Sequence, residues 1–355
     1  ASCSATFVCV RPFTVLFRLA ITLALAGLVV GIVAVLSGPQ LKEIATSGEW
    51  SHSPVALAST GTRSLIFDQN GELMATFFDE NRSPVLLDLI PEEVREAILA
   101  IEDANFYSHQ GVDLKATARA LIENVDAGGI SQGGSTITQQ LIKNLVLTPE
   151  QTVERKVQEA ALAVRLEDQL SKDEIYEIYL NTVYFGGSAY GIKAAAEVYF
   201  GLDLANKGPE EIQATLEAGL GWPEAALLAS LISNPSVNDP TVNPQIATYQ
   251  RRIVLDRLAE LGYFTSAEAD QYAQTPLPTE RFQPSLPSAD DFFVSEVRRS
   301  LLEDPTFLGG GLQSRLEDLL GINGGIRVYT TFNPATQQMA IEARDEVLRD
   351  KWGVD

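Results

Sequence analysis

Three runs of polar sequence decide how the rest of this chain is interpreted. They read EDANFYSHQG at residues 102–111, GGSTITQQ at residues 133–140 and RKVQE at residues 155–159. Acidic, amide and basic side chains cluster in these runs at helical spacings, and the residues around them repeat their apolar positions with the period of an α-helix. The pattern predicts a mainly α-helical domain in which polar groups distant in the sequence converge on one site.

The helix before the first run is predicted to begin at Pro91 and to bring Glu102 to its C-terminal end. Proline suits the first helical position, and apolar residues at i, i+3, i+4 and i+7 predict one buried face. That face comprises Val94, Ala97, Ile98 and Ile101. Residues Gly208–Trp222 are interpreted as a long connection. Further helices are predicted at Leu114–Val125, Thr136–Leu147, Thr152–Gln169, Lys172–Asn181, Ile192–Phe200, Pro223–Ser233 and Pro244–Leu261.

The N-terminal region predicts a membrane anchor. Leu19–Leu36 is an uncharged run of 18 residues, about 27 Å long as a helix and therefore long enough to cross a bilayer. A cleaved signal peptide is the alternative, but this run exceeds the usual apolar core of about 7–15 residues. Arg11 and Arg18 precede the run, which favours a cytoplasmic segment at residues 1–12, a transmembrane helix at 13–36 and the remaining chain outside.

The chain after the predicted anchor divides by composition. Residues 37–63 are rich in Ser, Thr and Gly and are predicted to be a linker. Asn70-Gly71 lies between two β-prone segments, which is a strong signal for a small β-hairpin at the start of a domain spanning 64–262. A proline-bearing region at 263–325 is interpreted as a second linker, and a strand at Ile326–Thr331 opens a further module at 326–355.

Composition excludes several classes of function. The formal net charge of −21 argues against non-specific nucleic-acid binding. Cys3 and Cys9 are the only cysteines and both precede the apolar run, so the rest of the chain holds neither a disulfide framework nor a thiolate metal site. The two histidines, His52 and His109, cannot form a His-x-x-x-His zinc site.

Each candidate catalytic or binding residue, taken singly, could have an ordinary structural role. A helix after Ser135 would present polar side chains on one face, namely Thr136, Gln140, Lys143 and Asn144. Arg155 and Lys156 stand four and three residues before Glu159, which could be a solvated ion-pair set. Glu102 could be a surface acid, but the negative helix end and shielding by Phe106 and Tyr107 would raise its pKa and suit a proton acceptor. His109 reads more readily as a hydrogen-bonding loop residue than as a base.

Taken together and in order, these motifs resemble the signature of the peptidoglycan glycosyltransferase family. The resemblance rests on Glu102-Asp103-x-x-Phe106-x-x-His109-x-Gly111, Gly134-Ser135-Thr136-Ile137-Thr138-Gln139-Gln140-x-x-Lys143-Asn144, Arg155-Lys156-x-x-Glu159 and Tyr179-Leu180-Asn181. It implies a lysozyme-like helical domain, at the front of a class A penicillin-binding protein, that polymerises lipid II on the outer face of the bacterial cytoplasmic membrane. The strand at residue 326 then resembles the entry to a transpeptidase module, here truncated.

The resemblance also implies roles for individual residues. Glu102 would be the general base towards the acceptor hydroxyl, and Glu159 would assist departure of undecaprenyl pyrophosphate, so both are candidate catalytic residues. The implied substrate-binding residues are Asp103, Phe106, His109, Ser135, Thr136, Gln139, Gln140, Lys143, Asn144, Arg155, Lys156 and Asn181. No cofactor or protein-bound metal is expected, although a divalent cation at the pyrophosphate is compatible with the family. The expected partners are lipid II, the growing glycan strand, membrane lipid and other cell-wall synthesis proteins, and no nucleic acid.

Some features depart from the family pattern, and two rival functions remain open. Gln158 and Ser233 replace residues that are often basic or amide in relatives, and no Ser-x-x-Lys or Lys-Thr-Gly occurs, so acylation by β-lactams is not expected. A lysozyme-like lytic enzyme could also use one acidic residue, but it would not require the cluster of cations and amides. A non-enzymatic wall-binding scaffold would not require two glutamates beside a lysine.

Overall fold

The computed structural model describes residues 55–57, 60–117, 134–146, 153–205, 207–282, 292–320 and 325–352. The helices are α1 Glu92–Glu102, α2 Ile137–Leu145, α3 Val153–Glu167, α4 Lys172–Thr182, α5 Ile192–Phe200, α6 Pro209–Gly219, α7 Trp222–Ser233, α8 Pro244–Leu261, α9 Ser266–Tyr272, α10 Phe292–Glu303, α11 Pro305–Leu308, α12 Leu312–Leu319 and α13 Pro334–Trp352. The strands are β1 Ser64–Phe67, β2 Leu73–Phe77, β3 Asn81–Arg82, β4 Tyr184–Gly186, β5 Ala189–Tyr190 and β6 Arg327–Tyr329. This part of the chain is therefore mainly helical, as predicted.

Helix α7 lies at the centre of one helical layer. It packs against both α1 and α8, and nearly every residue from Ala225 to Leu231 is buried. A helix that is apolar on all sides is one surrounded by protein. Because α7 and α8 both cover α1, the buried surface of α1 is wider than the single stripe predicted and includes Leu99 and Ala100. The prediction for Ile101 is wrong, since this residue near the helix end is 37% exposed.

Helices α2, α3 and α4 form a second layer that carries most of the predicted site residues. Helix α2 packs against α3 and α4 through Ile137, Leu141 and Ile142, which are fully buried. Its N-terminus is closed by a capping box: Thr136 accepts a hydrogen bond from the Gln139 backbone, and the Gln139 side chain accepts one from the Thr136 backbone. Such a box satisfies two backbone donors that a helix start leaves free. The polar run at 133–140 therefore starts a helix, as predicted.

The predicted hairpin is confirmed, and it pairs with a strand from the other end of the described chain. Strands β1 and β2 are antiparallel, with Ser64 opposite Phe77, and Gly71 takes the positive φ of 84° that the turn requires. Strand β6 pairs in parallel with β1, placing Arg327 beside Leu65. The strand predicted to open a further module thus completes a three-stranded sheet with the hairpin. A second small sheet has the order β3-β5-β4.

Two predictions for the middle of the chain change with the structure. Residues 208–222 were interpreted as a connection, but Pro209–Gly219 forms α6, whose first turn carries Glu210 and Glu211. Helix α9 was not predicted, although Thr265 caps it as part of a capping box. Only residues 114–117 of the predicted helix at Leu114–Val125 are described, and they are helical.

The predicted cytoplasmic segment and membrane span, residues 1–36, lie outside the described residues. Among the helices that the structure does describe, none combines the length and the apolar character needed to cross a bilayer.

Candidate active site

Glu102 lies at the C-terminal end of α1, where two other helices reach it. Its Oε2 atom accepts a hydrogen bond of 2.7 Å from the Gln140 amide on α2. The other end of that amide, Oε1, accepts a hydrogen bond of 3.1 Å from the hydroxyl of Tyr179 on α4. Because Tyr179 is fully buried, it fixes which way the Gln140 amide faces and so keeps an N–H group directed at the carboxylate.

The environment of Glu102 changes its acidity. Burial is the main effect and raises the pKa of Glu102 above its ordinary value, while the hydrogen bond from Gln140 acts in the opposite direction. The negative charge of Asp103 adds to the rise, and the positive charge of Lys143 lowers it. The direction was predicted, but the predicted contribution of Tyr107 is not seen: that side chain is 55% exposed and its hydroxyl donates to Asp173.

Asp103, the next residue, joins α1 to the start of α2. Its Oδ2 atom accepts a hydrogen bond of 3.0 Å from the backbone N–H of Ile137 and lies 2.9 Å from Nε2 of His109. A carboxylate at a helix N-terminus is stabilised by the free N–H groups and the positive end of the helix dipole. Asp103 therefore fixes where α2 begins relative to the end of α1.

Gly111 shows why a residue without a side chain is needed in the first polar run. It has a φ of 77°, and a Cβ atom there would lie 2.5 Å from the backbone nitrogen of Val164 on α3. Any other residue would force the loop away from α3. The Gly111 carbonyl also accepts a hydrogen bond of 2.6 Å from Thr136 Oγ1, so the position of this loop sets the position of the α2 N-terminus.

The predicted substrate-binding residues Thr136 and Gln139 are buried, with 2% and 4% of their surface exposed. Their side chains form the cap of α2 and the contact with Gly111. Phe106 is also buried and packs against the ring of Tyr176. The three residues therefore support the site through contacts within the protein. Their contact with substrate stays a prediction.

Lys156 and Glu159 form the second charged part of the candidate site. The Lys156 ammonium donates to Glu159 Oε1 and donates a hydrogen bond of 2.8 Å to Ser135 Oγ. Glu159 is buried, whereas 51% of the Lys156 side chain is exposed. The ion pair therefore holds a solvent-accessible cation beside the start of α2.

The segment from Ser135 to Gln140 connects the two predicted catalytic glutamates. Gln140 contacts Glu102, and Ser135 contacts the lysine that is paired with Glu159. Lys143 follows on the exposed surface of α2, close enough for its charge to affect Glu102. Two carboxylates and two cations are thus gathered around one short helix.

The remaining predicted residues lie on these same helices. Asn144 is exposed beside Lys143 on α2, and Arg155 is partly buried one residue before Lys156 on α3. Asn181 on α4 uses its side-chain amide to bind the backbone of Val85 in both directions, at 2.8 Å each. Asn181 therefore holds the segment after β3 onto α4, and its predicted contact with substrate stays a prediction.

Three residues near the site were missed by sequence reasoning: Thr138, Glu167 and Lys172. Glu167 Oε1 accepts hydrogen bonds from Thr138 Oγ1 at 2.5 Å and from Lys172 Nζ at 2.8 Å. One signal in the sequence could have found Lys172, because it occupies the first turn of α4, where the helix dipole disfavours a cation. A lysine at such a position needs a specific anionic partner.

The described residues include no group of three or more His, Cys, Asp or Glu side chains arranged to hold a metal ion. Asp103 and Glu167, the buried carboxylates nearest His109, are already occupied by N–H, O–H and ammonium donors. The carboxylates and ammonium groups gathered around α2 can supply proton transfer and stabilisation of negative charge.

Several known proteins are similar in sequence to this chain. Penicillin-binding protein 1A of Aquifex aeolicus is 37% identical over 284 residues, covering 80% of this chain and 35% of that protein. Penicillin-binding protein 1A of Escherichia coli strain K12 is 38% identical over 284 residues, covering 80% of this chain and 30% of that protein. Penicillin-binding protein 1F of Bacillus subtilis is 41% identical over 206 residues, covering 58% of this chain and 27% of that protein.

The chain spans about a third of the length of these curated relatives. The sequence model of the family described as Transglycosylase matches residues 70–259, more than half of the chain. This range contains Glu102, Gln140, Lys156 and Glu159, together with the helices that bring them together. The sequence resemblance is therefore confirmed, and the chain belongs to the Transglycosylase family.

Proposed function

We propose that this chain is a peptidoglycan glycosyltransferase that polymerises lipid II into β-1,4-linked glycan strands. The observation that carries the proposal is the placement of Glu102: a partly buried carboxylate with a raised pKa, held by Gln140 on the same short segment that contacts the Lys156–Glu159 pair. Family membership supports the reaction class, because the matched residues include both glutamates.

In the proposed reaction, the acceptor's 4-hydroxyl oxygen attacks the anomeric carbon of the donor sugar. The hydroxyl proton passes to Glu102, and the bond from the anomeric carbon to the diphosphate oxygen breaks with its electron pair leaving on undecaprenyl pyrophosphate. A single displacement inverts the α-linked donor to a β-1,4 bond. The Gln140 N–H group already occupies Oε2 of Glu102, so Oε1 is the oxygen that takes the proton.

The raised pKa of Glu102 serves this role. A carboxylate is a stronger base when its pKa approaches the working pH, and it must still be ionised to accept a proton. Burial raises the pKa of Glu102, while Gln140 and Lys143 limit the rise. The two opposing influences together determine how readily Glu102 accepts a proton.

In this proposal, the cations stabilise the negatively charged leaving group. Lys156 is held between Ser135 and Glu159 with half of its side chain exposed, and Lys143 is exposed on α2. Together with Arg155, they supply positive charge where the diphosphate develops negative charge, and such preorganised charge lowers the barrier most. Glu159 keeps Lys156 in place and, in our proposal, assists departure of the diphosphate. Any divalent cation used by the reaction is bound chiefly by the diphosphate of the substrate.

We further propose that residues 13–36 anchor the chain in the bacterial cytoplasmic membrane, with the N-terminus inside and the lysozyme-like catalytic domain outside. The substrate's polyprenyl chain then stays in the bilayer while its head group enters the site. In this proposal, strand β6 begins a transpeptidase-type module. Other cell-wall synthesis proteins are proposed partners.

The test uses the purified full chain in detergent with labelled lipid II, followed by muramidase digestion of the product. Glu102→Gln keeps the side-chain shape but removes the base, so strand synthesis should fall by about 100-fold or more. Glu92→Gln is the matched control, because Glu92 is an exposed glutamate in the first turn of the same helix.

Two outcomes would overturn the proposal. Near-normal synthesis by Glu102→Gln would remove Glu102 as the base. Cleavage of preformed glycan strands by the wild-type chain, without synthesis from lipid II, would favour the lytic alternative.

A further inference from the structure

A chain of buried polar contacts begins at Asp103, the residue that follows Glu102. His109 lies between two groups: its Nε2 atom is 2.9 Å from Asp103 Oδ2, and its Nδ1 atom is 3.4 Å from Lys172 Nζ. Lys172 also donates a hydrogen bond of 2.8 Å to Glu167. The side chains of His109, Asp103 and Glu167 are at most 7% exposed, and that of Lys172 is 20% exposed. Water therefore has little access to these contacts.

The chemistry of the partners determines where the imidazole proton lies. An ammonium group can only donate hydrogen bonds, so His109 Nδ1 must accept from Lys172. The ring proton is then on Nε2, where it donates to the Asp103 carboxylate. Asp103 Oδ2 also accepts from the backbone N–H of Ile137. The tautomer of His109 is thus linked to the N-terminus of α2.

Four charged groups surround the His109 imidazole: Asp103 at the end of α1, Glu167 at the end of α3, Lys172 at the start of α4, and Asp113 in the loop that follows His109. Glu167 Oε1 lies 3.9 Å from Nδ1. The Ala116 N–H group and the Asn105 amide lower the pKa of Asp113, with a smaller contribution from His109. Three carboxylates and one ammonium group therefore lie around the ring.

We propose that Lys172 is a positioning residue for glycosyl transfer: it keeps the ring proton of His109 on Nε2, so that Asp103 holds the start of α2 and Gln140 stays against Glu102. The inference rests on the proposed function, and it adds a residue that lies outside the motifs singled out in the sequence. Lys172 reaches this place because its ammonium lies 4.3 Å above the Phe106 ring, a cation–π contact that compensates for its unfavourable helix position.

The geometry explains why a change at Lys172 would reach the reacting carboxylate. Without Lys172, the ring proton can move to Nδ1, and the nearest carboxylate oxygen on that side is Glu167 Oε1. Nε2 would then have no hydrogen to donate, and one of the two groups that hold Asp103 Oδ2 would be lost. Gln140 lies one turn further along α2, so movement of the helix start is transmitted to its bond with Glu102.

The first test reads the histidine directly and does not depend on activity. The chain contains only His52 and His109, so isotope-labelled histidine gives two imidazole signals in the detergent-solubilised full chain, and His52→Gln assigns them. At pH 7 the wild-type nitrogen shifts should report a ring proton on Nε2 of His109, with Nδ1 as the hydrogen-bond acceptor. Lys172→Met removes the donor at Nδ1, so the shifts should move towards those of a ring with its proton on Nδ1.

A second variant keeps the test valid if Lys172→Met does not fold. Glu167→Gln removes the carboxylate on the Nδ1 side while Lys172 remains, so the ring proton of His109 should stay on Nε2. Lys172→Arg keeps a donor at Nδ1 and should give the wild-type nitrogen shifts. Lys207→Met is the matched control, because Lys207 forms a surface pair with Asp203, and it should leave the His109 signal unchanged.

The second test measures lipid II polymerisation with the same variants. Lys172→Met should lower kcat by about 10- to 100-fold through misplacement of Gln140 and Glu102, with KM nearly unchanged. Lys172→Arg should recover most of kcat. A wild-type His109 with its ring proton on Nδ1, nitrogen shifts that are unchanged in Lys172→Met, or a ring proton that moves to Nδ1 in Glu167→Gln would overturn the role of Lys172. Absence of polymerisation by the wild-type chain would instead overturn the proposed function and leave the histidine measurement interpretable.

Discussion

The hydrogen bond between Gln140 and Glu102 allows a quantitative prediction for the variant Gln140→Leu. The Gln140 amide stabilises the ionised form of Glu102 across 2.7 Å and is the largest influence opposing the rise in pKa caused by burial. A hydrogen bond to a charged group contributes about 1.5–3 kcal/mol. Its loss should therefore raise the pKa of Glu102 further, and at 1.36 kcal/mol per pH unit a contribution of this size corresponds to a displacement of about one to two pH units in a pH–activity profile.

The sign of the effect on activity follows from the role of the base. Glu102 must be ionised to accept the acceptor's proton, so the acidic limb of kcat/KM against pH reports its pKa in the free enzyme. The acidic limb should therefore move to higher pH by about one to two units in Gln140→Leu. Activity at neutral pH should fall, and part of it should return at alkaline pH.

The assay is the initial rate of lipid II polymerisation measured across the pH range for each variant. Gln213→Leu is the control, because Gln213 Nε2 donates a hydrogen bond of 2.9 Å to Glu217 on the exposed surface of α6. The control removes the same type of amide–carboxylate bond far along the sequence from the site. An acidic limb that stays in place in Gln140→Leu, or one that moves equally in Gln213→Leu, would refute the link between this bond and the acidity of the base.

Two further predictions concern stability, and thermal unfolding tests both. Burial raises the pKa of Asp239, but hydrogen bonds from Thr241 and Arg281 outweigh this effect and hold the pKa below its usual value. The ionised carboxylate therefore stabilises the fold at pH values above its unfolded-state pKa, and this stabilisation is lost as pH falls through the folded-state pKa. Asp239→Ala should therefore cost about 3–5 kcal/mol at neutral pH, because Arg281 and Tyr199 lose a buried partner; a loss below about 1 kcal/mol would contradict this. Burial lowers the pKa of Lys193 to about 8, whereas an ordinary lysine, as in the unfolded state, has a pKa of about 10.4. Between these two pH values the folded state binds fewer protons than the unfolded state, so the free energy of unfolding should rise with pH. Lys193→Met should be more stable than wild type at pH 7, with the difference shrinking as pH rises, and a difference that is constant with pH would refute the assignment.

Much of the secondary structure could be predicted because its signals are local. Asn70-Gly71 between β-prone segments predicts the hairpin, and the capping residues and apolar period predict α5 and α8 with the bounds observed. Helix α6 was missed because glycines at both ends suggested a loop. The proline at its first position and the two glutamates after it are signals of a helix start.

The contacts that build the site could not be predicted in this way. Gln140 and Glu102 are 38 residues apart, and Lys172 and His109 are 63 residues apart. Periodicity indicates which face of a helix a side chain occupies, but it does not identify the residue that faces it from another helix. Thr136 and Gln139 illustrate the limit, since their motif suggested contact with substrate while the structure shows them capping and fastening α2.

The sequence by itself determined the helical class, the hairpin, the family and the two glutamates on which the chemistry was predicted to depend. Only the tertiary structure decided which oxygen of Glu102 is occupied, that a buried tyrosine orients the amide bound to it, and that Lys172 faces His109. The physical reason is that capping and periodicity act over a few neighbouring residues. Hydrogen bonds between side chains from different helices, and the loss of water that shifts a pKa, exist only after those helices have packed together.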